Sequence, residues 1–102
     1  RFVAEYVNAN KIPPDLYGAD SYGVLYFYKA AVEKAKSTET AKVRTAKEGL
    51  KWTTPQGEKT MRAADHQAIQ DMYAVRIANG DFTIISKVQG DKAIGPSTCK
   101  RW

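Results

Sequence analysis

A chain of 102 residues that is 43% hydrophobic, 26% charged and 11% aromatic is one domain's worth of polypeptide with globular rather than disordered composition. One cysteine, Cys99, and one histidine, His66, exclude an internal disulfide framework, a cysteine-based zinc site and paired-histidine metal motifs, and no uncharged apolar run approaches the roughly 20 residues that span a bilayer. Sixteen basic against eleven acidic residues give +5, but Lys34, Lys36, Lys42, Arg44, Lys47 and Lys51 are interleaved with Glu33, Glu39 and Glu48. Such a pattern describes a solvated helix face rather than a nucleic-acid patch.

The chain opens in helical rhythm. Phe2, Val3, Tyr6 and Val7 recur at three and four residues, which predicts a helix over about 1–10. No Ser, Thr, Asp or Asn caps it and no signal-peptide charge pattern precedes it. A helix without its first turn suggests a chain cut from something longer. Pro13 and Pro14 end it, because each lacks a donor and forces the preceding residue extended.

A second helix is expected over about 20–36, capped by Asp20 or Ser21. Tyr22, Leu25, Tyr26 and Val32 form one apolar face, and Val24, Phe27, Tyr28, Ala31 and Ala35 nearly a second. Two apolar faces require cover on both sides, which a chain this short cannot easily supply alone. A third, amphipathic helix is expected over about 38–49. Ser37 or Thr38 would cap it, Glu39 would sit in its first turn, Val43, Ala46 and Leu50 would form its stripe, and Gly49 would give a left-handed stop.

Residues 51–54 read as a short strand, Pro55-Gln56-Gly57 as a turn and 59–70 as extended chain plus loop. The clearest local signal is a hairpin over about 72–88 closed by Asn79-Gly80. A two-residue turn pairs Ala78 with Asp81, and then Ile77 with Phe82, Val75 with Ile84 and Tyr73 with Ser86 form one side. Arg76 with Thr83 and Ala74 with Ile85 make the more polar side. The tail, 89–102, shows no period. The whole reads as one partial domain, 1–102.

The search for catalytic residues is negative. Asp65 and His66 are adjacent, so on extended chain they point to opposite faces, and the better role is a hydrogen-bonded loop. Cys99 lies near the end with no positioned base, and reads as a packed thiol or the partner of a cysteine elsewhere. No phosphate loop or nucleophile elbow occurs. No catalytic residue, metal ligand or cofactor is therefore expected. Tyr17 stands apart from the helical aromatics. Beside Gly18 and Ala19, in a loop expected to enter a helix N-terminus, it offers a flat ring and free amides to a ligand.

The order of motifs resembles one family. Phe2-Val3-Ala4-x-Tyr6 is followed by Pro13-Pro14-Asp15-x-Tyr17, Ser21-Tyr22-Gly23-Val24, Ala30-Ala31-Val32-Glu33-Lys34-Ala35 and Glu48-Gly49-Leu50. Thr54-Pro55-Gln56-Gly57, Arg62-Ala63-x-Asp65-His66-Gln67 and Met72-Tyr73-x-Val75-Arg76-Ile77 complete the series. Over about 1–88 the chain resembles the C-terminal part of a type I periplasmic solute-binding protein of ABC importers, in the branched-chain amino acid/amide group. The resemblance implies an α/β architecture, the C-terminal segment of a two-lobe fold, here two or three helices plus a C-terminal hairpin. It implies a periplasmic or extracytoplasmic transport component that binds a small organic solute such as an amino acid or amide and docks on a membrane permease, without catalysis. Tyr17, with Gly18 and Ala19 as backbone neighbours, is the implied ligand contact. Self-association of the chain and no nucleic-acid partner are further expectations. The competing reading is a free-standing basic α+β module that binds nucleic acid or another protein.

Overall fold

The structure, a computed structural model, describes residues 1–99. Nine elements follow one another: α1 (Phe2–Asn10), α2 (Leu16–Ala35), α3 (Thr40–Lys47), β1 (Lys51–Thr54), β2 (Gly57–Met61), β3 (Ala68–Ile69), β4 (Met72–Ala78), β5 (Asp81–Val88) and α4 (Gly90–Ile94). The architecture is mixed α/β with two separate antiparallel sheets, one of order β1-β2-β3 and one of β4-β5.

Helix α2 starts at Leu16, ahead of the expected Tyr22 and its Asp20 or Ser21 cap. Asp15, directly after the two prolines, is the N-cap, and its carboxylate accepts from the Gly18 amide at 2.7 Å. The third helix starts later than its Ser37 or Thr38 cap implied. Glu39 is its N-cap rather than a first-turn residue, and Ser37 Oγ instead accepts from the Glu39 amide at 3.0 Å, a local turn that competes with capping. Gly49 takes the left-handed conformation at φ 69° and turns the chain into β1.

Where 59–70 is expected to be extended chain and loop, β2 pairs with β1 and β3 with β2, which completes a three-stranded sheet. A short helix, α4, occupies part of the tail. The core lies between α2, α3 and β1. Ala19, Gly23, Phe27 and Ala31, four apart along α2, form the buried stripe, joined by Val43 and Ala46 of α3. Gly23 permits the approach of β1, since a Cβ there would stand 3.1 Å from Thr54 Cγ2. Phe27 meets Trp52 with ring centroids 4.4 Å apart.

The β4–β5 hairpin pairs Ala78 with Asp81, Ile77 with Phe82, Arg76 with Thr83 and Val75 with Ile84. Asn79 and Gly80 both take positive φ, 53° and 76°, as the two central residues of this tight turn require. The expected register then fails by one. Ile85 is an extra residue in β5, so Ala74 pairs with Ser86 rather than Ile85, and Tyr73 with Lys87 rather than Ser86. Every residue of both strands is exposed, so neither face is covered within the described chain.

Candidate functional site

Tyr17 is the second helical residue of α2, not a loop residue before it. Its side chain is 72% exposed. Gly18 follows, half-buried, with space for a Cβ bounded by Asp15 Oδ1 at 3.4 Å and the Tyr6 ring at 3.5 Å. Ala19 is buried in the stripe beneath. The three expected residues thus share one helical turn, but only Tyr17 offers a side chain to solvent. The Gly18 amide is bonded to Asp15. A ligand carboxylate seeking that amide would have to displace the Asp15 side chain, whereas the ring of Tyr17 is open to solvent.

A second feature, missed in the sequence, lies where α1 meets α2 and β1. Phe2 and Tyr22 meet as tilted rings 4.7 Å apart between centroids, Tyr22 and Tyr26 at 5.0 Å, and Phe2 and Tyr6 at 5.9 Å. Tyr22 donates its hydroxyl to that of Tyr26 at 3.2 Å, which holds the Tyr22 phenol neutral to higher pH than usual. The rings of Phe2, Tyr22 and Tyr26, with Arg1 and Pro55, line an open groove of about 430 Å³. Arg1 is held at its rim by Glu5 at 3.0 Å, which raises the guanidinium's pKa further. The i, i+4 spacing of Phe2 with Tyr6 and of Tyr22 with Tyr26 was the available signal. It was absorbed into core packing because nothing in one sequence says that the two helices leave a gap between them.

Asp65 and His66 form the expected loop. Arg62 grips Asp65 through two bonds, Nε to Oδ1 at 2.8 Å and Nη2 to Oδ2 at 2.6 Å, and its Nη1 donates to the Gly95 carbonyl at 2.6 Å. This guanidinium, assisted by the Gln67 amide, holds the Asp65 carboxyl well below the usual carboxylate range. His66 turns away at φ 57° and places Nε2 3.1 Å from Glu48 Oε1. Both residues are engaged in tying β2, β3 and α3 together. Cys99 is exposed and free, so within the described residues it is not the packed thiol that was one of its expected roles. Among the described residues no group of three or more His, Cys, Asp or Glu could hold a metal ion, and no helix is long and apolar enough to cross a membrane.

The sequence profile of the family described as "Periplasmic binding protein" matches residues 1–81. The chain belongs to the periplasmic binding protein family. Solved structures agree. An ABC-type branched-chain amino acid transporter from Rhodopseudomonas palustris CGA009 is 31% identical with a TM-score of 0.77, over 88% of this chain and 26% of that one. A second ABC transporter from Rhodopseudomonas palustris is 38% identical with a TM-score of 0.64, over 74% of this chain and 23% of that one. The leucine-, isoleucine-, valine-, threonine- and alanine-binding protein from Brucella ovis, in closed conformation, is 26% identical with a TM-score of 0.77, over 97% and 30%. None of the curated proteins compared with the chain matches it. This periplasmic binding protein chain therefore spans between about a quarter and a third of the length of these structural relatives, and its mixed α/β elements match that part of their fold.

Proposed function

We propose that the chain belongs to the extracytoplasmic solute-binding component of an ABC importer, and that its cargo is a small organic solute such as an amino acid or amide. The observation that carries this is the family match over residues 1–81, joined to a fold shared at TM-score 0.77 with an ABC-type branched-chain amino acid transporter. The action is binding, with no catalytic residue or cofactor. A solute that touches two lobes favours the closed state by its greater affinity for it, and the closed form docks on a permease in the membrane.

Tyr17 faces the solute in this reading, with Gly18 and Ala19 forming the turn that carries it. Its exposed ring flanks an apolar or planar part of the solute. This chain's uncovered apolar faces also make it self-associate when it stands alone.

The test is calorimetry on the full-length protein with a panel of amino acids, amides and aromatic acids. One class binds, and Tyr17→Ala weakens that binding roughly tenfold, about 1.4 kcal/mol, while leaving the unliganded melting temperature unchanged because the side chain is exposed. Unaltered affinity in Tyr17→Ala removes that residue from the site. Silence across the panel, together with DNA or RNA binding that falls steeply with salt, would move the assignment to the basic-module reading.

A further inference from the structure

The β4–β5 hairpin packs substantially only on itself, and every one of its residues is exposed. Within the described chain its orientation is therefore decided at its base, where β4 begins and β5 ends. One side chain joins the two ends. Asp71, immediately before β4, accepts from the Gly90 amide at 3.0 Å through Oδ1 and meets Lys87 Nζ at 2.6 Å through Oδ2. Both interactions lower the Asp71 pKa and the pair raises that of Lys87, as expected of a carboxylate held by two donors.

The backbone beneath is closely fitted. A Cβ on Gly90 would lie 2.9 Å from the Gln70 carbonyl carbon and 2.9 Å from Ile69 Cγ2, so only glycine lets the chain after β5 cross the chain before β4. Behind this crossing, Arg62 clips the Gly95 carbonyl at 2.6 Å and ties the following segment to the body.

We propose that the hairpin is a rigid arm whose angle to the body is set by Asp71, acting as a positioning residue through Gly90 and Lys87. Closing the staple fixes both strand ends at once, so a loss at this one carboxylate is felt along the whole arm.

Distance measurement between spin labels reads the arm directly. Labels are placed at Lys29→Cys on α2 and Thr83→Cys on β5 in a Cys99→Ser background of the full chain, without solute. The parent gives one narrow distribution, and Asp71→Ala at least doubles its width with unchanged helix content. Asp71→Asn and Lys87→Met each keep an acceptor for the Gly90 amide while losing the ion pair, and both fall between. An Asp71→Ala distribution that superposes on the parent overturns the proposal. Should that variant fail to fold, parent-like widths in Asp71→Asn and Lys87→Met overturn it instead. The measurement uses no ligand, so its outcome is separate from that of the transport reading.

Discussion

Asp15 decides where the candidate ligand residue stands. By capping α2 it draws Tyr17 into the first helical turn and fixes its backbone there. Asp15→Ala should cost about 1 kcal/mol in urea unfolding, the ordinary value of an N-cap, and should weaken solute binding through Tyr17 besides. The position was misread because Gly18 and Gly23 lower helix propensity over 16–23 and made the stronger apolar rhythm from Tyr22 look like the start. The Pro-Pro-Asp sequence was the legible sign, since a capping residue after helix-incompatible prolines marks a start. At Asp65 the sign of the pH effect follows from Arg62. The folded-state pKa lies below the unfolded one, so the pair's contribution is present above about pH 4, the unfolded carboxylate value, and is lost as the pH falls further. Asp65→Asn should therefore melt lower than the parent at neutral pH, and the gap should close on acidification. A gap that stays constant with pH would show that the charge plays no part.

At the scale of elements, burial falls where residues four apart line up. Phe27 is 6% exposed between α3 and Trp52, and Phe27→Ala should cost about 3–5 kcal/mol in denaturant unfolding. By contrast Phe82→Ala, at 67% exposure on the hairpin, should change the stability of this chain by less than about 0.5 kcal/mol. The hairpin was legible because Asn-Gly admits the left-handed turn and the flanking residues alternate. Its bulge is marked only by Ile84-Ile85, two apolar residues in succession that break the alternation of β5, and such a doublet does not by itself show that one strand carries an extra residue. The small sheet was half legible. Residues 51–54 have strand character, but β2 is largely polar and β3 is only two residues long; the Gly49 amide on the Met61 carbonyl at 2.9 Å extends the pairing of β1 with β2, and the Arg62 amide on the Gln67 carbonyl at 2.8 Å that of β2 with β3. Bonds between backbone groups leave no mark in side-chain pattern.

The molecule as a whole is more open than its length requires. Its accessible surface is 7771 Å², against about 5,700 Å² for a compact chain of this mass. Its radius of gyration is 16.0 Å, against about 13 Å expected. Exposed apolar residues are prominent on the outer faces of α2, where Leu25 is 70% exposed and Val24 54%, and on the hairpin, where Ile77 is 68% exposed and Ile84 63%. The doubly apolar pattern of α2 foretold this, since its neighbours in the chain cover only one stripe. Apolar surface of this extent marks a face made to be covered. Sedimentation of the 102-residue chain over a range of concentrations, with small-angle scattering on the same samples, tests that account most directly. The account predicts association that rises with concentration and is abolished by charged substitutions at Leu25 and Ile77. A single monomeric species at high concentration, with a radius of gyration near 13 Å, would contradict it.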